Sequence, residues 1–207
     1  MKYDLNTIII IDYNMGNIGS VVNMIKKSGG VPIVSSDPYV ILSASKLLLP
    51  GVGAFDAGMK NLKDKGLDKV ICKAVSENIP LLGICLGMQL LLSSSEEGIS
   101  EGLNLVKGNV SKFISDDKYK KVPHMSWNTL DIKKNSILLN SLENESRFYF
   151  VHSYYVKCEN SSDVVATTKY INDFVSVFNN GNIYGAQFHP EKSHKYGMKL
   201  FQNFLSI

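Results

Sequence analysis

Residues 79–92 read IPLLGICLGMQLLL, and they join a short apolar run to a helical pattern through a single cysteine. The run Ile79–Ile84 is typical of a strand that is buried on both faces. The residues after Gly87 continue with apolar side chains at near-helical spacing. Cys85 therefore lies at a predicted junction between strand and helix, with Gly83 and Gly87 two positions away on either side.

The rest of the first half alternates strand and helix patterns around this junction. Strand patterns occupy residues 6–13, 31–36 and 46–53, and helical patterns occupy residues 17–30, 37–45 and 54–78. The last helical pattern contains a break near Gly66. Strands and helices in this order predict an α/β fold with a doubly wound, mostly parallel sheet flanked by helices.

The second half has a different pattern. Shorter, partly alternating strand patterns occupy residues 105–114, 119–132, 146–158, 163–170 and 173–188. Turn signals occur at Asn180–Gly181 and at Asp116–Asp117, and a closing helix is predicted over Lys195–Leu205. These patterns predict an antiparallel β region, and without a repeat or linker the chain is expected to form one domain over 1–207.

Composition restricts the possible functions. The chain has 207 residues and a net charge of +3, and its 22 basic residues are scattered, so nucleic-acid binding is not expected. Its apolar runs are too short to cross a bilayer, and its start lacks an export-signal pattern. Three cysteines in such a chain indicate reduced thiols and a cytoplasmic location. The cysteine and histidine spacings do not suggest a metal site.

Cys85 lies where a nucleophile of an α/β protein is expected. Ligands of open parallel sheets bind outside the carboxyl ends of the strands, and Cys85 follows a predicted strand at that end. Small neighbouring residues permit the strained, closely packed turn that such a nucleophile needs. A helix N-terminus also favours the thiolate, which is the attacking form. Taken alone, the pattern Gly-x-Cys-x-Gly fits a buried structural cysteine equally well.

Two further stretches favour the catalytic alternative. In LPGVGAF, Gly51 and Gly53 allow backbone N–H groups to face a substrate oxygen, and the N–H of Leu86 would complete an oxyanion hole. In QFHPEKS, the proline after His189 favours an extended backbone, which points His189 and Glu191 to the same side. A histidine that receives a thiol proton and is oriented by a carboxylate is the arrangement of a catalytic triad. Alone, the first stretch also fits a tight turn and the second a solvated Glu–Lys pair.

These stretches carry a resemblance to a known family. PLLGICLGMQLLLSSSEEG and GAQFHPEKS are similar to the segments that are specific to class I, or triad, glutamine amidotransferases. Within that class, IIDYNMGNIGSV, LLPGVGAFDAGMKNL, VPHMSWN and YFVHSYY resemble the glutaminase subunits of imidazole glycerol phosphate synthases. The resemblance covers nearly the whole chain, and the fold of that class agrees with the doubly wound prediction.

The resemblance implies three sets of site residues. The catalytic triad would be Cys85, His189 and Glu191; the oxyanion site would comprise Gly51, Val52, Gly53 and Leu86; and the amino-acid end of glutamine would be held by Gln89, Ser153 and Tyr154. It also gives His152 a supporting place beside the glutamine pocket. Cys72 and Cys158 are expected to be packing residues. Trp127 fits either core packing or a partner contact.

The resemblance further implies hydrolysis of L-glutamine to glutamate and ammonia without a metal or organic cofactor. The partner would be a cyclase subunit built as a (β/α)₈ barrel, which forms a heterodimer with this chain and uses the ammonia in histidine biosynthesis. Three alternatives stay open: service to a sugar amidotransferase, a stand-alone cysteine hydrolase, and a non-catalytic relative. In VPHMSWN, Ser126 replaces a glycine of the family, which is expected to alter a turn near the partner interface.

Overall fold

The computed structural model describes residues 3–115, 119–143 and 145–207. The strands are β1 (Thr7–Ile11), β2 (Val31–Ser35), β3 (Leu47–Leu49), β4 (Leu81–Ile84), β5 (Ser94–Ser95), β6 (Gly108–Lys112), β7 (His124–Thr129), β8 (Asp131–Ile132), β9 (Arg147–His152), β10 (Tyr154–Cys158), β11 (Val164–Lys169), β12 (Asp173–Asn180) and β13 (Ile183–Ala186). The α-helices are α1 (Ile18–Lys27), α2 (Pro38–Leu42), α3 (Phe55–Asp64), α4 (Leu67–Ser76), α5 (Leu86–Leu90) and α6 (His194–Leu205). The predicted turn at Asp116–Asp117 lies outside the described residues.

The main sheet is parallel in one part and antiparallel in the other. Its strands follow the order β2-β1-β3-β4-β13-β12-β10-β6-β5, and β11 and β8 branch from β12. The neighbours from β2 to β13 are parallel. Strands β12, β10 and β6 continue the sheet in antiparallel pairs. This arrangement confirms the predicted α/β fold with an antiparallel region in the second half.

Helices cover both faces of the parallel part, so β1 is buried at all five positions. Ile9 and Ile11 face one core, which contains the apolar sides of α2, α3, α4 and α5. Ile8 and Ile10 face the other core, which contains those of α1 and α6. Two faces in contact with helices explain why this strand has four consecutive isoleucines and no polar alternation.

A second, two-stranded sheet is formed by β7 and β9 in antiparallel register. Ser126 lies inside β7 and pairs with Phe150, so the expectation that it belongs to a turn is wrong. The strand pattern at residues 146–158 divides at Ser153, because β9 joins this small sheet whereas β10 joins the main sheet. Trp127, also in β7, is stacked on His194 with the two rings 5.4 Å apart.

Strand β13 brings the end of the chain back to the middle of the sheet. It runs parallel to β4, with Ala186 opposite Ile84, and the N–H of Cys85 donates to the carbonyl oxygen of Ala186 at 2.8 Å. The segments that follow β3, β4 and β13 therefore meet at one edge. Among the residues that the structure describes, no helix has the length and apolar character needed to cross a bilayer.

Candidate active site

Cys85 occupies the tight turn between β4 and α5. Its backbone has φ 52° and ψ −111°, a conformation that side-chain-bearing residues rarely adopt. A Cβ atom on Gly87 would lie 1.9 Å from the carbonyl oxygen of Leu49, so only glycine allows the turn to pack this closely on β3. The side chain of Cys85 is 7% exposed. The predicted strain and close packing of this turn are both present.

His189 and Glu191 form a buried pair at the end of β13. His189 Nδ1 donates to Glu191 Oε1 at 2.8 Å, and both side chains are 2% exposed. The extended backbone of His189 and the short helical turn Pro190–Lys192 point the two groups at each other. The N–H of His189 also donates to the carbonyl oxygen of Tyr149 at 2.9 Å. His189 Nε2 is buried and has no hydrogen-bond partner among the described residues, so this nitrogen is available for proton transfer.

The charge around His189 favours the imidazolium. Burial alone would lower the pKa of His189, but the negative charge of a Cys85 thiolate and the Glu191 carboxylate outweigh burial and raise this pKa to about 10. The thiolate is the largest of the raising causes. At neutral pH the site therefore holds a protonated histidine while Cys85 is charged.

Cys85 and His189 line one cleft of about 320 Å³. Its wall contains most of the other residues predicted for the site, namely Val52, Gly53, Leu86, Gln89, Ser153 and Tyr154. Two predicted residues lie behind the wall. Glu191 contacts His189 from the rear, and a Cβ on Gly51 would lie only 2.6 Å from the Tyr13 hydroxyl and 2.9 Å from Leu86 Cβ.

The loop at residues 50–53 after β3, here called the glycine loop, is fixed at its start by a hydrogen bond and exposed at its tip. The Tyr13 hydroxyl donates to the carbonyl oxygen of Pro50 at 2.6 Å, which fixes the start of the loop. Burial, together with the charge of Cys85, raises the pKa of Tyr13 well above its usual range, so the hydroxyl keeps its proton. Gly53 has φ 115°, which other residues rarely adopt, and the Val52 side chain is 41% exposed.

Glu97 lines the cleft and was not predicted as a site residue. Its Oε2 accepts the N–H of Phe55 at 2.8 Å. Asp56 fixes the same loop by accepting the N–H groups of Ile99 and Ser100. These contacts connect the loop that carries Glu97 to the start of α3, directly after the glycine loop. The SSSEEG stretch contained the carboxylate, but nothing in its local pattern predicted that it would reach the cleft.

A pair of neutral histidines supports the opposite wall. His152 Nδ1 donates to the carbonyl oxygen of Tyr154 at 2.8 Å, so its Nε2 must accept, and His124 Nδ1 donates to it at 3.2 Å. Burial lowers the pKa of His124 to about 4 and that of His152 to about 3. Two uncharged rings in this hydrogen-bonded chain fix the position of the Tyr154 carbonyl.

The other two cysteines have surroundings that suppress the thiolate. Burial raises the pKa of the Cys72 thiol, and burial raises that of Cys158 to about 12. All three cysteines are free thiols. Within 3–115, 119–143 and 145–207, no three His, Cys, Asp or Glu side chains are grouped as metal ligands would be.

Comparisons with known proteins place the chain in a family. A family model described as glutamine amidotransferase class-I matches residues 9–207. The chain is 54% identical over 200 residues to the imidazole glycerol phosphate synthase subunit HisH 2 of Methanococcus maripaludis, covering 96% of this chain and 98% of the relative. It is 48% identical to the subunit HisH of a Geobacillus species, covering 96% and 95%.

Solved structures show the same fold at lower identity. PurLQS from Thermotoga maritima superposes with a TM-score of 0.75 at 21% identity, covering 100% of this chain and 99% of that one. A glutamine amidotransferase from Thermotoga maritima gives a TM-score of 0.63 at 15% identity, covering 99% and 85%. Because the family model matches nearly the whole length of this chain, the chain belongs to the class I glutamine amidotransferase family.

Proposed function

We propose that this chain is the glutaminase subunit of an imidazole glycerol phosphate synthase, and that it forms one amidotransferase domain over 1–207. It would hydrolyse L-glutamine to glutamate and ammonia. The observation that carries the proposal is the cleft in which Cys85 lies together with the buried His189–Glu191 pair. The high identity to subunits of that name supports the choice of pathway.

The cleft has the groups that a free amino acid requires. Glu97 offers a carboxylate to the α-ammonium group of glutamine. The segment Ser153–Tyr154 lines the same cleft, where its backbone would meet the α-carboxylate. The carboxamide would then point toward Cys85, beside the glycine loop. Backbone N–H groups of Val52, Gly53 and Leu86 would hold the carboxamide oxygen as it gains negative charge.

The reaction has two halves. In the first, the Cys85 thiolate attacks the carboxamide carbon, and protonated His189 gives its Nε2 proton to the departing nitrogen, which leaves as ammonia. The product is a glutamyl thioester. In the second half, His189 removes a proton from water, the resulting hydroxide attacks the thioester, and glutamate leaves as Cys85 returns to the thiolate.

The charge of Cys85 explains how one histidine performs both steps. While Cys85 is a thiolate, its charge helps to keep the pKa of His189 near 10, so the ring is an acid. The thioester carries no charge, so that contribution disappears and the pKa of His189 falls toward the range of a general base. Glu191 contributes throughout, because its hydrogen bond to Nδ1 leaves Nε2 as the nitrogen that exchanges protons.

A partner subunit would receive the ammonia. Ammonia that enters neutral water is mostly protonated and no longer nucleophilic, so the acceptor must lie close to the cleft. Apolar side chains are exposed on segments beside it, at Val52, Val122, Met125 and Trp127. We assign this surface to a synthase subunit with a (β/α)₈ barrel in a heterodimer. The reaction would take place in the cytoplasm, where the Cys85 thiol stays reduced.

Reconstitution tests this function. The chain is purified and mixed with candidate synthase subunits from its own genome, including any that aminate sugars. The histidine-pathway cyclase with its acceptor should raise glutamine hydrolysis at least about a hundredfold, the scale of one oxyanion-hole donor gained when the glycine loop reorients. Cys85→Ala should abolish synthesis from glutamine but not from added ammonium salts. Acceleration only by a sugar amidotransferase, or full activity without a partner, would contradict the proposal.

A further inference from the structure

Gln187 is a fully buried polar residue that the proposed reaction does not use. It lies two positions before His189, and its side chain is 0% exposed. Its Nε2 is 3.8 Å from Cys85 Sγ, and its Oε1 is 3.1 Å from Gln89 Nε2. The amide therefore lies between the reacting sulfur and a residue of the cleft wall.

The orientation of the Gln187 amide follows from its neighbours. The carbonyl oxygen of Tyr154 can only accept, and Gln89 Nε2 lies 3.1 Å from it, so the amide nitrogen of Gln89 must face this way. The second N–H of the same nitrogen faces Gln187, which must present its oxygen. The NH₂ group of Gln187 is then left to face Cys85. A reversed amide would place two donors together and would direct an oxygen at the sulfur.

We propose that Gln187 is a further catalytic residue, which donates its amide N–H to the Cys85 sulfur and stabilises the thiolate. The proposal deepens the proposed function and rests on it in one respect, that Cys85 is the nucleophile. A thiolate in water is stabilised by hydration, which a side chain only 7% exposed largely lacks. A fixed N–H donor replaces part of that hydration.

Gln187 offers the sulfur a donor that does not depend on the protonation state of His189. His189 loses its proton to the departing nitrogen in the first half of the reaction and regains one from water in the second, so its charge beside the sulfur changes during the cycle. The amide of Gln187 does not titrate, so its N–H faces the sulfur in both halves of the reaction. The protonated thiol has a separate acceptor, the carbonyl oxygen of Val151 at 4.0 Å from Sγ.

Gln89 holds Gln187 in this position and consequently has less to offer a substrate. Both N–H contacts of Gln89 are used, one by the Tyr154 carbonyl and one by Gln187. Only the Gln89 oxygen is left to accept from glutamine. The side-chain amides of Gln89 and Gln187 thus connect the nucleophile to the wall that receives the amino acid.

Alkylation of Cys85 by iodoacetamide as a function of pH tests the proposal on the full chain. Gln187→Met keeps the length of the side chain but removes its donor, and Gln187→Glu also adds negative charge beside the sulfur. In Gln187→Met the midpoint of the alkylation profile should rise by about one pH unit, the scale of one hydrogen bond to a charged group. Gln187→Glu should raise it further, and Gln202→Met, the same exchange on the exposed side of α6, should not change it.

The outcomes separate this inference from the function on which it rests. If Gln187 has a purely structural role, its variants should have a lower melting temperature but the same alkylation midpoint. The charge around Cys85 would then be the same, because Tyr13 stays protonated and the His189–Glu191 pair is unchanged. If the unaltered chain reacts at Cys85 and both Gln187 variants show its profile, Gln187 is not catalytic. If Cys85 of the unaltered chain is not alkylated, or its alkylation leaves glutamine hydrolysis intact, the proposed function itself fails.

Discussion

Gly197 does not line the cleft, yet its lack of a side chain positions the catalytic turn. A Cβ atom at Gly197 in α6 would lie 1.8 Å from the carbonyl oxygen of Pro190 and 2.6 Å from its carbonyl carbon. Ordinary contact would require the two segments to separate by about 1.5 Å. Pro190 lies between His189 and Glu191, so Gly197→Ala should displace the pair that moves the proton.

The size of this displacement sets the expected loss of activity. A misplacement of about 1 Å in catalytic groups lowers rates by on the order of a hundredfold, so kcat for glutamine hydrolysis in the assembled enzyme should fall by about that factor. KM should change little, because Glu97 and Ser153–Tyr154 lie on other walls of the cleft. Forcing a methyl group into this contact should also cost about 1–3 kcal/mol in the free energy of unfolding.

Steady-state kinetics and thermal melting of the same preparation measure both effects. Gly19→Ala is a matched control, because Gly19 also lies in a helix but a Cβ there would have no atom within 4 Å. It should leave kcat unchanged and should not destabilise the protein. A folded Gly197→Ala variant with a kcat within about threefold of the unaltered enzyme would refute the proposed dependence on this contact.

Three further outcomes are expected. Because protonated His189 is the acid and its pKa is raised to about 10, activity should persist at neutral pH and be lost as pH rises through that value. Glu191 contributes to raising this pKa, so Glu191→Gln should move the loss to lower pH in a pH–kcat profile. Gly53→Ala should lower kcat by on the order of a hundredfold or more with little change in glutamine affinity measured by calorimetry, because φ 115° is strained with a side chain. The buried pair His124 and His152 has lowered pKa values, so its contribution to stability is complete above about pH 6.5 and is lost as pH falls toward 4. Urea unfolding should show that the free energy of unfolding falls by roughly 1.4 kcal/mol per pH unit for each ring. His152→Leu should reduce that slope.

The parallel half of the fold could be predicted because its signals are local. Four isoleucines in a row indicated a strand buried on both faces, and β1 is buried throughout. A glycine in a long helical pattern indicated a break, and Gly66 separates α3 from α4 with φ 65°. Cys85 stood out for the same reason, since the change from strand to helix pattern is visible in about ten residues.

Pairings between distant segments could not be predicted from these patterns. The residues of β13 show that a strand forms, but not that it lies beside β4, which is what brings His189 to Cys85. The division at Ser153 depends on two sheets that compete for one continuous strand pattern. A serine in place of a glycine suggests a change in a turn, but it does not show that Ser126 pairs with Phe150 inside a strand.

The same limit explains the site residues that were missed. Glu97 reaches the cleft because its loop is fixed by Asp56 and Phe55, which are about forty positions earlier in the chain. Gln187 is significant only through its contacts with Gln89 and Cys85, about a hundred positions away. Neither relation leaves a periodic trace in the sequence.

Labelling with an electrophilic analogue of glutamine, followed by peptide mapping, measures which thiol is the nucleophile. Cys85 lines the cleft, whereas burial raises the pKa of the other two thiols, Cys72 and Cys158. One label per chain should appear on Cys85, glutamine should protect it, and the loss of glutaminase activity should follow the extent of labelling. Label on Cys72 or Cys158, or labelling of Cys85 that glutamine does not slow, would contradict the assignment of this cleft as a glutaminase site.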